Sequence, residues 1–386
     1  MTTVAYTCPF VPAEWIKAHG LGASRIVPAR LGHGGMMEAT EGLCPFARAL
    51  LNDLARRPDG VAAVFTTACD QMRRAAEVFA ARCPNRPCFV MNVPATWQMP
   101  AAMAMYVDEL RRLGGFLVGL GGHEPTDEHL IEIMLAYDDA REQLRAAREH
   151  LTARKYAELL AAFGRDGIEP QTSAFSLRNP SPLTGEGGPS GPALGAPNGG
   201  EGVTGEGAPQ GQGKPVRPHD ISNTGETPVP RPVPLALVGG PLLEGHFEVF
   251  DVVERFGGRI VLDATASGEL TMPGPIDGRR AAENPLLELA RAYFGSIPHA
   301  MRRPDSMLHD YLARELAARK VRGVLLHRQL WCDLWHGQLP RIRQAAALPV
   351  LDIDVADEDA DFGRQAGRIQ AFMEMLGGEK KVVGNR

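Results

Sequence analysis

Short apolar runs alternate with helical spacings at both ends of this 386-residue chain, and that alternation restricts the fold more than any single motif. In the N-terminal part SRIVPARL, VAAVFTTACD and PCFVMNVP each read as a buried strand closed by turn or polar residues. Between them CPFARALLNDLARRP and QMRRAAEVFAARCP carry helical spacing. In the C-terminal part VPLALVGG, RIVLDAT, VRGVLLH and PVLDIDV read as strands. FEVFDVVERFGG, NPLLELARAYFG, SMLHDYLARELAARK and DFGRQAGRIQAFMEML read as helices. Strands that stay apolar on both faces and alternate with helices predict parallel sheets covered by helices.

The predicted class is therefore α/β, with two Rossmann-like parallel-sheet domains at 1–125 and 233–386. A helical connecting region is predicted at 126–172. There Leu130, Ile133, Met134, Tyr137, Ala140, Leu144, Ala147 and Leu151 keep one apolar stripe, and Thr126, just after Pro125, is the expected N-cap. From 173 to 232 the composition shifts to glycine and proline, and TGEG occurs at 184–187 and again at 204–207. Such a segment buries too little apolar surface to offset its ordering entropy, so a disordered insertion is expected.

Charge and targeting signals exclude several classes. The net charge is −5 with no basic block, which argues against a nucleic-acid partner. The opening MTTVAYTCPF lacks the features of a signal peptide, and no apolar run approaches the ~20 residues that span a bilayer. A cytoplasmic, reducing location without membrane contact is expected. VGGPLLEG has no P-loop lysine and GxGxxG spacing is absent, so no ATP hydrolysis by this chain alone is expected.

In a reducing compartment the six cysteines, Cys8, Cys44, Cys69, Cys83, Cys88 and Cys332, do not read as a disulfide framework. Cys69 ends one predicted strand segment, and Cys332 follows another within HRQLWCDLW, between Trp331 and Trp335. Ligand sites of parallel sheets lie beyond the carboxyl ends of strands. Cys44 precedes Pro45 at a predicted helix start, where the helix dipole and free N–H groups lower a thiol pKa. Three thiolates are too few for a closed zinc or cubane site but would leave one iron of a cubane open. Without a CxxC pair, placement alone leaves metal ligands and small buried hydrophobes both open. Cys83 and Cys88 flank a proline-containing turn and are expected to be structural, while Cys8 is near enough to the first domain's start to be considered an auxiliary ligand.

Taken together, LCPFARALL, FTTACDQMRR, FVMNVPATW and LHRQLWCDLW resemble the 2-hydroxyacyl-CoA dehydratase subunits, a family that includes benzoyl-CoA reductase-type subunits. TCPFVPAEWIKAHGL and VGGPLLEGHFEVFDVVERFGGRIVLD fit the same family, so the resemblance covers nearly everything but the Gly/Pro-rich tract. It implies a 4Fe-4S cluster held by Cys44, Cys69 and Cys332. Trp331 and Trp335 would then wall the cluster from water, and His327, Arg328 and Arg73 are candidates for CoA phosphates or a thioester oxygen.

The resemblance also implies the chemistry. A separate ATP-dependent iron-sulfur activator injects an electron, a ketyl radical anion of the acyl-CoA expels the 2-hydroxyl, and the β-proton becomes acidic enough to remove. Glu38, Glu41 and His33 are the candidate acid–base groups because they lie nearest Cys44 in sequence. Asp70 and Asp333, each following a ligand cysteine, are expected to cap helices. The partner is expected to be a second dehydratase subunit or a copy of this chain. Alternatives in the same architecture are a benzoyl-CoA reductase-like or double-cubane-type reductase, and a non-catalytic scaffold subunit.

Overall fold

The computed structural model describes residues 2–29, 42–168, 231–356 and 363–378. Two four-stranded sheets, each wholly parallel, carry the α/β architecture. The first contains β1 (Thr3–Tyr6), β2 (Gly22–Arg25), β3 (Val61–Thr66) and β4 (Cys88–Met91) in the order β2-β1-β3-β4. The second contains β5 (Val233–Gly239), β6 (Gly258–Thr265), β7 (Gly323–Gln329) and β8 (Val350–Val355) in the order β6-β5-β7-β8. The two orders are the same pattern. In each sheet the chain steps outward in one direction, then reverses, so a switch point lies between β1 and β3 and another between β5 and β7. Loops diverge at such points and leave a crevice at the carboxyl edge.

The first sheet is covered on both faces. Ala5, Ala63 and Phe65 pack against α2 (Pro45–Arg56) and α3 (Asp70–Arg82). Val4, Tyr6, Ala62 and Val64 face a core built with α1 (Ala13–Ala18), α4 (Pro100–Gly119) and α5 (Asp127–Ala147). Thr126 accepts a hydrogen bond from the His129 amide at 3.2 Å, the N-cap expected for α5. On one face of the second sheet, Leu235, Leu237, Leu325 and Ile353 pack against helices 248–255 and 363–378. On the other, Val238, Leu262, Leu326 and Val324 pack against helices 306–318 and 339–346. Continuous apolar strands such as VAAVFT, buried at all six positions, follow from this double coverage.

The helical connection ties the two sheets together. α6 (Ala153–Asp166) packs on both β2 and β6, the edge strands, and so covers backbone that would otherwise be unpaired. A segment from the C-terminal half, helix Pro285–Tyr293 and the residues up to Met301, packs into the core of the first sheet. Glu14 of α1, Arg141 of α5 and Tyr293 join there in one buried network, with the Tyr293 hydroxyl donating to Glu14 at 2.6 Å and Arg141 donating to both.

Two strand expectations shift. The strand placed within SRIVPARL is four residues long and begins earlier, at Gly22. Its ladder continues only to the Ile26 amide, which donates to the Tyr6 carbonyl at 2.7 Å, and Pro28 then removes a donor. β1 itself is too short, and too soon cut by Cys8–Pro9, to register as an apolar run. The tract 173–232 lies outside the described residues apart from Arg231 and Pro232.

Candidate functional site at the facing sheet edges

Cys44, Cys69 and Cys332 occupy equivalent local positions: each is the N-cap residue of a helix. Cys69 lies three residues beyond β3, and Cys332 three residues beyond β7, both next to the switch points. The Cys44 sulfur accepts the Ala47 amide at 3.4 Å, and the Cys44 amide donates to Gln71 Oε1 at 2.7 Å. That second bond ties the start of α2 to the first turn of α3, beside Cys69. Trp331 adopts φ 67°, a left-handed turn that reverses the chain after β7 and sets Cys332 at the start of helix Asp333–His336.

These turns bring all three thiols to a single cavity of about 90 Å³, which Cys8 also lines. Its wall is largely apolar, with Phe46, Met72, Leu334 and Trp335, while Pro241 and Ala266 enter from the ends of β5 and β6. The crevice is thus shared by the carboxyl edges of both sheets. The thiols are close enough to raise one another's proton affinity: Cys69 and Cys332 act on Cys44, and Cys69 acts on Cys332 and Cys8.

The helix starts do not lower these thiol pKa values. Burial dominates and pushes Cys44 up to about 12 and Cys332 and Cys8 up to about 11, with Cys69 also raised. The amides of Ala47, Trp335 and Met72 pull the other way but are outweighed. The expectation of acidic thiols is corrected on this point. A metal would have to displace protons from these sulfurs.

The donor set fits a cubane better than a single ion. Among the described residues no three His, Cys, Asp or Glu side chains converge tightly enough to hold one metal ion. A cubane instead binds each cysteine at a separate corner iron, so its ligands stand apart around a shared core. Three thiols around one largely apolar cavity meet that requirement. Gln329 Oε1, buried in its lining and without a partner among the described residues, marks a place where an occupant can supply a hydrogen-bond donor.

The other candidates fall in different places. Trp335 is 1% exposed and lines the cavity, but Trp331 is 64% exposed and is no part of its wall, because the left-handed turn carries it outward. Asp70 and Asp333 occupy the first helical positions rather than the caps, which the cysteines take. Arg328 is bound in bidentate fashion by Asp352 on the neighbouring strand at 2.9 and 3.0 Å, so its guanidinium braces β7 to β8. Arg73 lies one turn after Cys69, exposed, and among the described residues pairs with Asp70 at 3.5 Å. Glu38, Glu41 and His33 lie outside the described residues. Cys83 and Cys88 pack beside the core under α2 and α3, away from the cavity lining.

His327 is corrected outright. It sits inside the sheet, fully buried, with its ring 4.9 Å from His246 and neither ring nitrogen hydrogen-bonded among the described residues, so a CoA phosphate has no access to it. Burial holds its pKa well below the usual value and keeps it neutral. Because the folded-state pKa is depressed, stability is complete above the unfolded value near 6.5 and falls as pH drops below it. His327→Leu is expected to gain about 2 kcal/mol over the parent at pH 5 relative to pH 7.5, from 1.5 pH units at 1.36 kcal/mol each. Denaturant titrations of both proteins at the two pH values check this, and parallel pH curves would reject it.

Cys8, considered from the sequence as an auxiliary ligand, lies two residues beyond β1 and lines the cavity. Another lining residue, His299, carried no usable signal in sequence. His299 comes from the loop after helix Pro285–Tyr293, and no strand or motif pointed to it.

The same chain stretches carry the family relationship. The 2-hydroxyglutaryl-CoA dehydratase D-component family matches residues 8–164 and 222–376, which include all four cavity cysteines and leave out most of the Gly/Pro-rich tract. A comparison with individual curated proteins finds no match. With two parallel sheets, paired switch points and three helix-capping cysteines at one crevice inside the matched stretches, the chain belongs to the 2-hydroxyglutaryl-CoA dehydratase D-component family, among the 2-hydroxyacyl-CoA dehydratase subunits.

Proposed function

We propose that this chain is the iron-sulfur subunit of a 2-hydroxyacyl-CoA dehydratase, holding a 4Fe-4S cluster through Cys44, Cys69 and Cys332. The convergence of three helix-capping cysteines on one apolar cavity carries this reading. The proposed reaction is a radical, ketyl-type elimination of water from a 2-hydroxyacyl-CoA thioester. When bound, a three-cysteine cubane supplies an electron at low potential and one iron open to an oxygen ligand.

The chain's own residues have definable tasks. Phe46, Met72, Leu334 and Trp335 exclude water, which strengthens every electrostatic contact inside the cavity. Arg328, locked on Asp352, keeps a positive charge near Cys332 and eases its ionisation. Arg73, exposed beside the first cysteine loop, is the candidate contact for a CoA phosphate. Glu38, Glu41 and His33 remain the proposed acid–base groups on the strength of their nearness to Cys44 in sequence.

A D-component is by name one part of a multi-component enzyme. The partners proposed are a second dehydratase subunit or a copy of this chain, together with an ATP-dependent iron-sulfur activator. No described helix is long and apolar enough to cross a membrane. A cytoplasmic site of action is proposed, since six unpaired cysteines suit a reducing compartment.

Anaerobic purification followed by iron and sulfide assays tests the reading. About four irons per chain, with activator- and ATP-dependent dehydration of a 2-hydroxyacyl-CoA, are expected. About eight irons per chain would favour the double-cubane reductase. Folded protein that stays iron-free after reconstitution would leave the scaffold reading in its place.

A further inference from the structure

His299 enters the cysteine cavity from outside both sheets, on the loop that follows helix Pro285–Tyr293. It is 7% exposed, and its ring stands edge-on to Phe10 at 5.7 Å. The Met301 amide lies 3.2 Å from Nδ1 and, as an N–H group, can only donate to it. Nδ1 is therefore the acceptor, and in the neutral ring the hydrogen must sit on Nε2. Among the described residues Nε2 has no hydrogen-bond partner. Burial, reinforced by the buried Arg302 guanidinium nearby, lowers the His299 pKa to about 4, so the ring is uncharged at neutral pH.

Besides His299, the side-chain donors of the lining include the Thr7 and Thr66 hydroxyls and the Gln71 amide, all from the first sheet's half. Phe46, Met72 and Leu334 present only carbon or sulfur, and the buried Gln329 amide spends its NH₂ on the Pro241 carbonyl at 3.0 Å. An N–H whose tautomer is fixed by a backbone bond, on a ring that lines the cavity, can donate to an acceptor on whatever fills it. Cluster sulfides and cysteinyl sulfurs are such acceptors. Hydrogen bonds to them stabilise the more negative, reduced state and raise the reduction potential.

We propose that His299 is a positioning residue that donates its Nε2–H to a sulfur of the cluster held in this cavity, and that it thereby sets how readily the cluster is reduced. This rests on the cluster reading given above. The donor works without adding a charge, so it tunes the potential while leaving the cavity apolar.

The test is a potentiometric titration, followed by EPR, of the full chain loaded with its cluster. His299→Phe keeps the ring volume and removes the donor, and its midpoint is expected to move to more negative potential. His299→Gln restores an N–H and is expected to return the midpoint most of the way towards the parent value. A fully loaded His299→Phe chain with an unmoved midpoint would overturn this inference alone. Should that variant fail to hold its cluster, ENDOR of the reduced parent grown with ¹⁵N-histidine gives an independent answer. A ¹⁵N coupling accompanied by an exchangeable proton is expected, and its absence overturns the proposal. A parent chain that takes up no cluster overturns the cluster reading and this inference with it.

Discussion

Cys332→Ala is expected to leave a folded chain with its bound iron reduced from about four atoms to well under one, and with no activator-dependent dehydration above background. The expectation follows from where the thiol sits. Cys332 is the one cysteine of the cavity supplied by the second sheet, so without it the remaining sulfurs all come from one side. A cubane with only two cysteine ligands exposes two irons, and solvent then competes for them. The fold has little reason to fail, because Cys332 is only partly buried. Iron assay and circular dichroism on the same preparation separate the two effects. Full iron retention in folded Cys332→Ala would remove Cys332 from the ligand set and point to Cys8 in its stead.

A second large effect concerns stability. Glu14→Gln is expected to cost about 3–5 kcal/mol of unfolding free energy. Glu14 and Arg141 are both almost fully buried, and the carboxylate takes donors from Arg141 and from Tyr293. Burial works against the charge on Arg141, but Glu14 and Tyr293 overcome it and hold that charge in place. With the carboxylate charge gone, a guanidinium remains in a low-dielectric core facing neutral oxygens, the amide oxygen of the replacement and the Tyr293 hydroxyl 3.0 Å away, in place of its counter-ion. Removing both charges together, as in Glu14→Leu with Arg141→Met, should recover most of the loss, since well-packed apolar replacements of a buried pair are commonly neutral. Equilibrium denaturation of the single and double variants forms the test. A single variant within 1 kcal/mol of the parent would show that the pair contributes little.

The network also bears on the site. Glu14 belongs to the helix that follows the Cys8 loop, and Tyr293 ends the helix that precedes His299. Loosening it therefore frees two walls of the cysteine cavity at once. Reduced cluster retention in Glu14→Gln, beyond the loss of global stability, is the corresponding signature.

Much of this was legible in the residues themselves. The apolar runs VAAVFT, PLALV, RIVLDA and GVLLH cannot face water on either side, and between helical spacings they leave parallel, double-covered sheets as the economical solution. Cys44–Pro45, Cys69–Asp70 and Cys332–Asp333 each stand where a helix begins, which local chemistry alone makes plain. Neighbours in sequence were a poorer guide to the site. His327 and Trp331 stand close to Cys332 along the chain, yet a central strand covered on both faces buries the first and a left-handed turn expels the second.

Sequence by itself determined the elements, their parallel arrangement and three of the four thiols that meet, because these depend on periodicity, strand ends and helix starts, which are local. Only the tertiary structure decided that both sheets share one crevice, that α6 clamps both edge strands, and that Cys8 and His299 line the cavity. It also decided that burial outweighs the helix dipole on the thiols. Desolvation and convergence are properties of packing between residues hundreds of positions apart, and nothing in a local pattern encodes them.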